Sequence, residues 1–159
     1  QSPNCLFCPL SGSCRALSEG KVQQLPVKQH RTKTTNRYFN YIYVRMGAHT
    51  LIHKRTEDDI WKNLFELPLV ETEKDLSEEE FLACPQFHAL FAEGEVRMVR
   101  TLLRGVKHVL SHRVIYTNFY EVTLPDNSSS FSSYQRVAVE DLDRYAVPRL
   151  IHAFLEKYV

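Results

Sequence analysis

Three of the four cysteines lie close together near the start of the sequence, at Cys5, Cys8 and Cys14. Three thiolates at this spacing favour metal binding over a disulfide network, since three cannot pair among themselves. Zinc needs four ligands, so a Cys3His site would require a distant histidine, whereas a four-iron cluster uses four cysteine thiolates. Cys84 falls in a separate helical pattern and is more typical of a buried side chain. The sequence leaves two interpretations open: a metal site, or free thiols on a loose terminus.

A run of carboxylates, Glu78 to Glu80, forms a second group of residues that could take part in chemistry. It follows Ser77, and this pattern predicts a capping box in which the serine accepts a backbone N–H and Glu80 reaches back. Acidic side chains in a first turn are also favoured by the helix dipole. The run therefore predicts a helix that continues to about Phe91 and is interrupted at Pro85.

The net charge of +1 conceals an uneven distribution of charge. Residues 1–55 carry +8, residues 56–95 carry −10, residues 96–120 carry +5 and residues 121–159 carry −2. Two basic blocks on one face would suit a phosphate-bearing partner. Blocks that intermix in three dimensions would instead cancel, and charge alone does not decide between the two arrangements.

The composition, with 43% hydrophobic and 25% charged residues in 159, is typical of a soluble globular domain. This composition excludes disorder along the whole length. The sequence contains no apolar run of about 18 residues, so it predicts no membrane span. The sequence lacks an initiator methionine and a signal-peptide pattern, so we expect a fragment or a processed chain.

Strand patterns and helical patterns do not alternate strictly, which predicts an α+β or mixed α/β domain. Residues 15–35 are polar and basic and have the composition of a linker. The predicted strands are 38–46 and 49–55, joined as a hairpin at Gly47, then 64–67, 106–110, 113–123 and 134–139. A Ser-rich loop, 126–133, precedes the last of them. Helical spacing from Val147 to Tyr158, with Pro148 in the first turn, predicts a final helix.

Four segments, in order along the chain, resemble the adenine DNA glycosylase (MutY) family. Cys5-x2-Cys8-x5-Cys14 is similar to the last three cysteines of the family's Cys-x6-Cys-x2-Cys-x5-Cys motif. The segment 59–68 resembles its Trp-Gly-Gly-Leu-Trp-x-Phe-Pro stretch. Leu110-Ser111-His112-Arg113 resembles its Phe-Ser-His motif, and 145–148 with the following helix resembles its C-terminal helix.

The resemblance implies a domain organisation and a fold. Residues 1–15 would be the remnant of the iron–sulfur loop, 16–35 the interdomain connector, and 36–159 a Nudix/MutT-like domain with a mixed sheet flanked by helices after a flexible N-terminal extension. Cys5, Cys8 and Cys14 would be three of four [4Fe-4S] ligands, with the fourth upstream, so we expect no intact cluster here. The catalytic carboxylates would lie in the separate helix–hairpin–helix domain, and this chain alone would have no glycosylase activity.

The resemblance also assigns a recognition site for 8-oxoguanine opposite adenine. The lesion presents an N7–H donor where guanine has an acceptor, and a serine hydroxyl such as that of Ser111 can accept it. His112 would donate to a base edge or a phosphate, and Leu110 would act as the wedge where the family has an aromatic residue. Phosphate contacts are expected from neighbouring basic residues, Arg104, Lys107, His108 and Arg113, and more weakly from Lys28, His30, Arg31 and Lys33.

The implied partners are double-stranded DNA with 8-oxoguanine:adenine mispairs and the parent's own catalytic domain. We expect the protein to be a monomer and to act in the bacterial cytoplasm, at the nucleoid. Two alternatives remain: an interaction domain in which the aromatic strand Tyr38–Tyr43 and the acidic block recruit a partner, and a vestigial Nudix hydrolase. Hydrolysis needs Gly-x5-Glu-x7-Arg-Glu-x2-Glu-Glu-x-Gly to hold Mg²⁺. A register starting at Ile60 loses both glycines, and one starting at Val70 places Leu76, Cys84 and Pro85 at the next key positions. We therefore expect no magnesium site.

Overall fold

A computed structural model describes residues 3–25, 27 and 34–159. The chain divides into two compact units, residues 1–33 and 34–159. The first unit contains two 3₁₀ turns, Cys5–Phe7 and Ser11–Ser13, and the short helix α1, Arg15–Ser18. The connector residues 28–33, which include the weaker predicted phosphate contacts, lie outside the described residues.

A four-stranded mixed sheet organises the second unit. Its strands are β1 (Thr35–Arg45), β4 (Leu69–Thr72), β5 (Met98–Val109) and β6 (Arg113–Thr123), in the order β4-β1-β6-β5. β1 and β6 run parallel, whereas β4 and β5 pair antiparallel with their neighbours. The mixed α+β architecture predicted from the sequence is therefore confirmed.

A second, antiparallel sheet contains β2 (His49–Lys54), β3 (Phe65–Glu66) and β7 (Gln135–Ala138), in the order β3-β2-β7. The predicted hairpin of β1 with β2 is wrong in its pairing. Gly47, with φ +57°, does reverse the chain, and a bridge joins Met46 to His49. β6 pairs along the whole of β1 and β4 pairs with Tyr38–Tyr41, whereas β2 continues beyond the Met46–His49 bridge to pair with β3 and β7 in the other sheet.

Both faces of the four-stranded sheet are covered, because six consecutive residues of β1, from Phe39 to Val44, are buried. The first face carries Phe39, Tyr41 and Tyr43 and packs against the C-terminal helix α4 (Arg149–Tyr158). There the rings of Phe119 and Phe154 stack with centroids 4.1 Å apart. The burial of Tyr41 and Tyr43 removes most of the aromatic strand from the surface, which argues against its use as a partner-binding strand.

The second face, which carries Ile42 and Val44, packs against α2 (Glu78–Leu82) and α3 (Pro85–His88). Phe81 stacks on Tyr120 with ring centroids 4.4 Å apart. The predicted capping box is confirmed: the Ser77 hydroxyl accepts from the Glu80 backbone N–H at 3.1 Å, and the Glu80 carboxylate accepts from the Ser77 N–H at 2.7 Å. Pro85 begins α3, which confirms the predicted interruption.

β5 is longer than the sequence pattern predicts. Its pairing with β6 shifts register twice between Thr101 and Val106, where Gly105 adopts φ +69°. Each shift moves side chains out of strict alternation, so the first half of the strand has no period-two pattern. Among the described residues, every helix is too short or too polar to cross a bilayer.

Replacing Ser77 with Ala removes one of the two capping hydrogen bonds of α2. We expect a loss of about 1 kcal/mol in the free energy of unfolding, because an orphan backbone N–H is left without its acceptor. Urea unfolding followed by circular dichroism measures the change. Ser133→Ala, at an exposed position outside the helices, serves as the matched control and should stay within about 0.5 kcal/mol of the parent chain.

Candidate nucleic-acid interface

The predicted Ser-His motif lies at the tip of the hairpin that joins β5 to β6. The Leu110 N–H donates to the Arg113 carbonyl at 2.8 Å, and the Thr35 N–H donates to the His112 carbonyl at 3.1 Å. Ser111 and His112 are both exposed. Within the described part of the chain, no hydrogen bond involves the Ser111 hydroxyl or the His112 ring. The backbone of the tip is thus fixed while its two polar side chains face outward.

A groove of about 350 Å³ lies beside the tip. Its lining residues are Ile60 and the four residues of the motif, Leu110, Ser111, His112 and Arg113. Leu110 is half-buried and packs against the core of the first face, as does Ile60. The structure therefore brings the three predicted recognition residues together on one concave, partly apolar surface.

Asp59 connects this surface to the neighbouring strands through its carboxylate. Its carboxylate accepts from Arg37 Nη1 at 2.6 Å, from Arg55 Nη2 at 3.0 Å and from Arg113 Nη1. Burial alone raises the pKa of Asp59, but hydrogen bonds from Arg37, the Ile60 backbone and Arg113 outweigh it and hold the pKa well below its usual range. Asp59 is therefore ionised throughout the neutral range and fixes Arg113 at the base of the tip.

The same network continues into the core. Arg55 also donates to the buried carboxylate of Glu66 at 2.7 Å, and Glu66 accepts from the Tyr41 hydroxyl at 3.0 Å. Arg37 forms a two-point contact with Glu71 at 2.6 Å. These arginines come from the basic blocks of the sequence and pair with acids of the acidic block, so in this region the blocks intermix and cancel.

The segment that carries Asp59 folds back on itself in an unusual backbone conformation. Trp61 and Asn63 have φ values of 60° and 70°. Asparagine tolerates the left-handed region better than most residues, and Asn63 stands where the resembled motif has glycine. The Trp61 ring packs on Phe39 at 6.1 Å and on His108 at 5.8 Å between centroids. Trp61 thus supports the hairpin as a packing residue.

The four predicted phosphate contacts lie in four different environments. Lys107 is exposed on the second face, whereas His108 points to the first face and packs on Trp61. Arg104 is exposed but donates to the Leu76 carbonyl at 2.6 Å, and it stands six residues before the tip residue Leu110, which is about 20 Å along a strand. Arg113 is held by Asp59. Lys107 has the freest charge of the four.

Asp59, Ile60 and Arg37 were not identified from the sequence as parts of the site. The partners of Asp59 lie 4, 22 and 54 residues away along the chain. A contact of that kind has no periodic signature, so only the tertiary structure reveals it. The one available signal was the acid directly before the apolar Ile60-Trp61 pair.

The three N-terminal cysteines are free and partly buried in their own unit. Over residues 3–25, 27 and 34–159, the structure does not gather three His, Cys, Asp or Glu side chains into a group that fits a metal ion. Cys5 and Cys8 are joined by a backbone hydrogen bond of 3.3 Å, at the end of the first 3₁₀ turn. The cluster assignment therefore stays a prediction.

The carboxylates considered for hydrolysis have structural roles. Glu66 is buried against Tyr41 and Arg55, Glu80 caps α2, and the Asp75 carboxylate accepts from the Asn118 amide at 3.2 Å. Glu78 and Glu79 are exposed in the first turn of α2. Neither register of the Nudix motif thus corresponds to converging carboxylates in the described residues.

A mixed sheet covered by helices on both faces, with a polar hairpin tip at one end, defines a domain of Nudix-like architecture. Residues 40–157 match the NUDIX domain family, and the chain belongs to that family. It is 24% identical to an adenine DNA glycosylase of Buchnera aphidicola subsp. Acyrthosiphon pisum (strain APS), over 98% of this chain and 43% of that protein. An adenine DNA glycosylase of Buchnera aphidicola subsp. Schizaphis graminum (strain Sg) is 31% identical over 72 residues, 45% of this chain and 21% of that protein.

Solved structures agree in fold. The C-terminal domain of mouse MUTYH, determined in complex with human PCNA, superposes with a TM-score of 0.58 at 15% identity, over 77% of this chain and 86% of that one. A MutT protein from Methanosarcina mazei Go1 gives 0.51 at 16% identity, over 80% and 95%. The chain spans less than half the length of its glycosylase relatives. The predicted resemblance to adenine DNA glycosylases is confirmed as a similarity of sequence and fold.

Replacing Asp59 with Asn removes the charge that three guanidinium groups share. We expect a loss of roughly 2 kcal/mol in the free energy of unfolding at pH 7, since Arg37 and Arg55 keep other carboxylates but Arg113 is left without one. The pKa of Asp59 is lower in the folded chain than in the unfolded chain. Its contribution is therefore complete above the unfolded value of about 4 and shrinks as the pH falls below it.

Urea unfolding of both chains at pH 7 and pH 3 measures this difference. The neighbouring Asp58, whose side chain is 99% exposed, provides the control Asp58→Asn. Equal stabilities for the two variants, or a gap between Asp59→Asn and the parent chain that does not narrow at pH 3, would contradict the assigned role.

Proposed function

We propose that this chain is the lesion-recognition domain of an adenine DNA glycosylase in base excision repair. It would recognise 8-oxoguanine opposite a misincorporated adenine, so that a separate catalytic domain excises the adenine. The observation that carries the proposal is the exposed Ser111-His112 tip, held rigidly beside a groove of about 350 Å³. The similarity to adenine DNA glycosylases supplies the class of substrate.

The chemistry of the tip suits the lesion. The Ser111 hydroxyl, which accepts from no group in the described residues, is available to accept the N7–H that distinguishes 8-oxoguanine from guanine. Guanine would place the N7 acceptor at the same point. The Ser111 hydroxyl would then have to donate its proton to N7, and it could no longer donate to any other acceptor. Discrimination of about 1–3 kcal/mol is expected from a contact of this kind.

The position of Leu110 favours shallow insertion between base steps. Leu110 is half-buried against the first-face core and forms the inner wall of the groove. A side chain anchored in this way widens a base step at its edge and stacks less than a fully inserted aromatic ring would. Ser111 and His112, further out on the turn, would be the residues that reach the base edges.

Electrostatic attraction to the duplex would come from Lys107, with support from Arg104 and His112. Arg113 acts mainly on the protein side, because its guanidinium neutralises Asp59 and holds the tip. Its side chain is still 37% exposed, which leaves part of the guanidinium for one phosphate oxygen. Binding by these few cations should weaken as salt increases.

Excision of the adenine would take place in a separate catalytic domain of the parent protein, in the part that this chain does not match. The N-terminal unit supports such a neighbour, because three apolar side chains among its cysteines are strongly exposed: Leu6 (92%), Phe7 (84%) and Leu10 (68%). Apolar side chains clustered in this way mark a surface that packs against another domain. In that assembly Cys5, Cys8 and Cys14 would complete a [4Fe-4S] site, and the protein would act on intracellular DNA.

Ser111→Ala should abolish the preference for lesion DNA. The parent chain is expected to bind an 8-oxoguanine:adenine duplex about tenfold more tightly than a guanine:adenine duplex of the same sequence, and the variant should bind both alike. Fluorescence anisotropy at two salt concentrations measures the affinities. Ser133→Ala should keep the parent's ratio, and a preference that persists in Ser111→Ala would show that the tip is not the recognition element.

The chain alone should release no adenine from an 8-oxoguanine:adenine duplex, because the groove contains no carboxylate that can assist cleavage of a glycosidic bond. Alkaline cleavage of a labelled strand and gel electrophoresis would reveal any abasic product. A parallel incubation with added Mg²⁺ and nucleoside triphosphates tests for Nudix-type hydrolysis. Product that scales with the chain in either reaction would assign it a catalytic role that the proposal denies.

A further inference from the structure

The second face of the four-stranded sheet is left open near the hairpin tip. The helices α2 and α3 cover this face around Ile42, Tyr120 and Val122. Beyond that cover the alternation of β1, β5 and β6 brings five partly or fully exposed side chains to the same face. We call them the tyrosine strip: Tyr38, Lys107, Val109, Val114 and Tyr116.

The two tyrosines at its centre form a stacked pair. Tyr38 and Tyr116 are paired across the parallel strands β1 and β6, and their rings stack with centroids 5.4 Å apart and planes inclined by 17°. Lys107 is the cross-strand partner of Tyr116 on the other side, and its Nζ lies 6.0 Å from the ring centroid. One register row across three strands therefore presents two mutually stacked, nearly parallel rings and a cation.

The strip has exposed apolar surface that the fold does not use. Val109, one residue before the tip, is 64% exposed, which is unusual for a valine in a strand. Towards the helices the strip ends at a buried amide pair, in which Asn118 donates to Asn40 at 3.1 Å. Arg104 crosses to the Leu76 carbonyl at the same boundary and separates the strip from the helical cover.

Charge around the strip favours an anionic partner. Lys107 is exposed on it, Arg104 borders it, and His112 stands at the adjoining tip. The Asp75 carboxylate at the border of the strip accepts a hydrogen bond from the Asn118 amide at 3.2 Å. Aromatic rings that alternate with cations on an open sheet face suit bases stacked in an unpaired strand, with phosphates alongside.

The tip also divides two surfaces. The groove with Ile60 and Leu110 lies on the first face, whereas the tyrosine strip lies on the second face. A hairpin that enters a duplex would therefore have a recognition groove on one side and a stacking surface on the other. A base released from its pair at the insertion point would lie within reach of Tyr116.

We propose that the tyrosine strip binds an unpaired nucleobase of a DNA strand, stacked on Tyr38 and Tyr116, with Lys107 beside the adjacent phosphate. The inference rests on the proposed function, since it takes the tip as the point of contact with DNA. It adds a second, sequence-tolerant contact that does not depend on the lesion. The occupant is a DNA strand rather than a free nucleotide, because the exposed side chains of the strip continue from the tyrosine pair to Val109, next to the tip that contacts DNA in the proposed function.

The test measures binding of the 159-residue chain to a fluorescent lesion-free single strand of about ten nucleotides. Tyr116→Leu removes a ring while keeping an apolar side chain, and we expect it to weaken binding about tenfold. Lys107→Gln should lower the salt dependence by about one counterion. Matched controls come from another lysine–tyrosine pair on α4, in which Lys157 Nζ lies 5.2 Å from the Tyr158 ring. Tyr158→Leu and Lys157→Gln should leave binding unchanged.

NMR of the same titration locates the contact, and shifts confined to Tyr38, Tyr116 and their neighbours are expected. Thermal unfolding of Tyr116→Leu establishes that the variant is folded, and Tyr116→Phe should restore binding. Equal loss in the Tyr158→Leu control, no loss in Tyr116→Leu, or tighter binding of deoxyguanosine monophosphate than of the single strand would overturn the proposal. The probe carries no lesion, so loss of 8-oxoguanine preference in Ser111→Ala tests the proposed function separately.

Discussion

One carboxylate holds together the end of the molecule that carries the proposed recognition site. Asp59 accepts from three arginines that come from β1, the end of β2 and the start of β6. Without its charge these guanidinium groups would repel one another inside a small volume, and the segment 55–63 would lose its attachment to the sheet. The hairpin tip, the groove beside it and the support under Trp61 all depend on that single contact.

The rest of the architecture gives this contact a rigid base. β1 is buried on both faces, and stacked aromatic pairs fix a helix to each side of the sheet. The hairpin extends from β5 and β6, whose pairing is continuous from Val106 to Val109, and the Leu110 N–H closes the turn on the Arg113 carbonyl. A recognition element built in this way has little conformational entropy to lose on binding, because only the side chains at the turn are free to move. Rigidity at the base and freedom at the tip suit a site that discriminates between two similar bases.

Much of the fold could be predicted from local sequence patterns. The predictions that were wrong concerned pairings between residues far apart in the chain. The capping box at Ser77, the break at Pro85 and the strand 113–123 were each predicted from adjacent residues and are confirmed. The partner of β2 was predicted wrongly, because β2 pairs with β3 and β7, which come later in the chain and leave no signal next to the turn. Within the site, the pattern around Ser111 was enough to locate the turn. The role of Asp59 and the separation of Lys107 from His108 onto opposite faces required the tertiary structure.

The parallel pairing of β1 with β6 has a consequence for how the chain folds. Paired residues such as Asn40 and Asn118 are 78 positions apart, and closing a loop of that length costs about 4 kcal/mol in chain entropy before any pairing contact forms. At typical synthesis rates β6 leaves the ribosome roughly 4–16 seconds after β1. During that interval the apolar segment from Phe39 to Val44 has no parallel partner and is open to association with other chains. Production of this domain in the cell should therefore depend strongly on chaperones that shield nascent chains, and more strongly still when slow translation lengthens the interval, even though the finished fold is well packed.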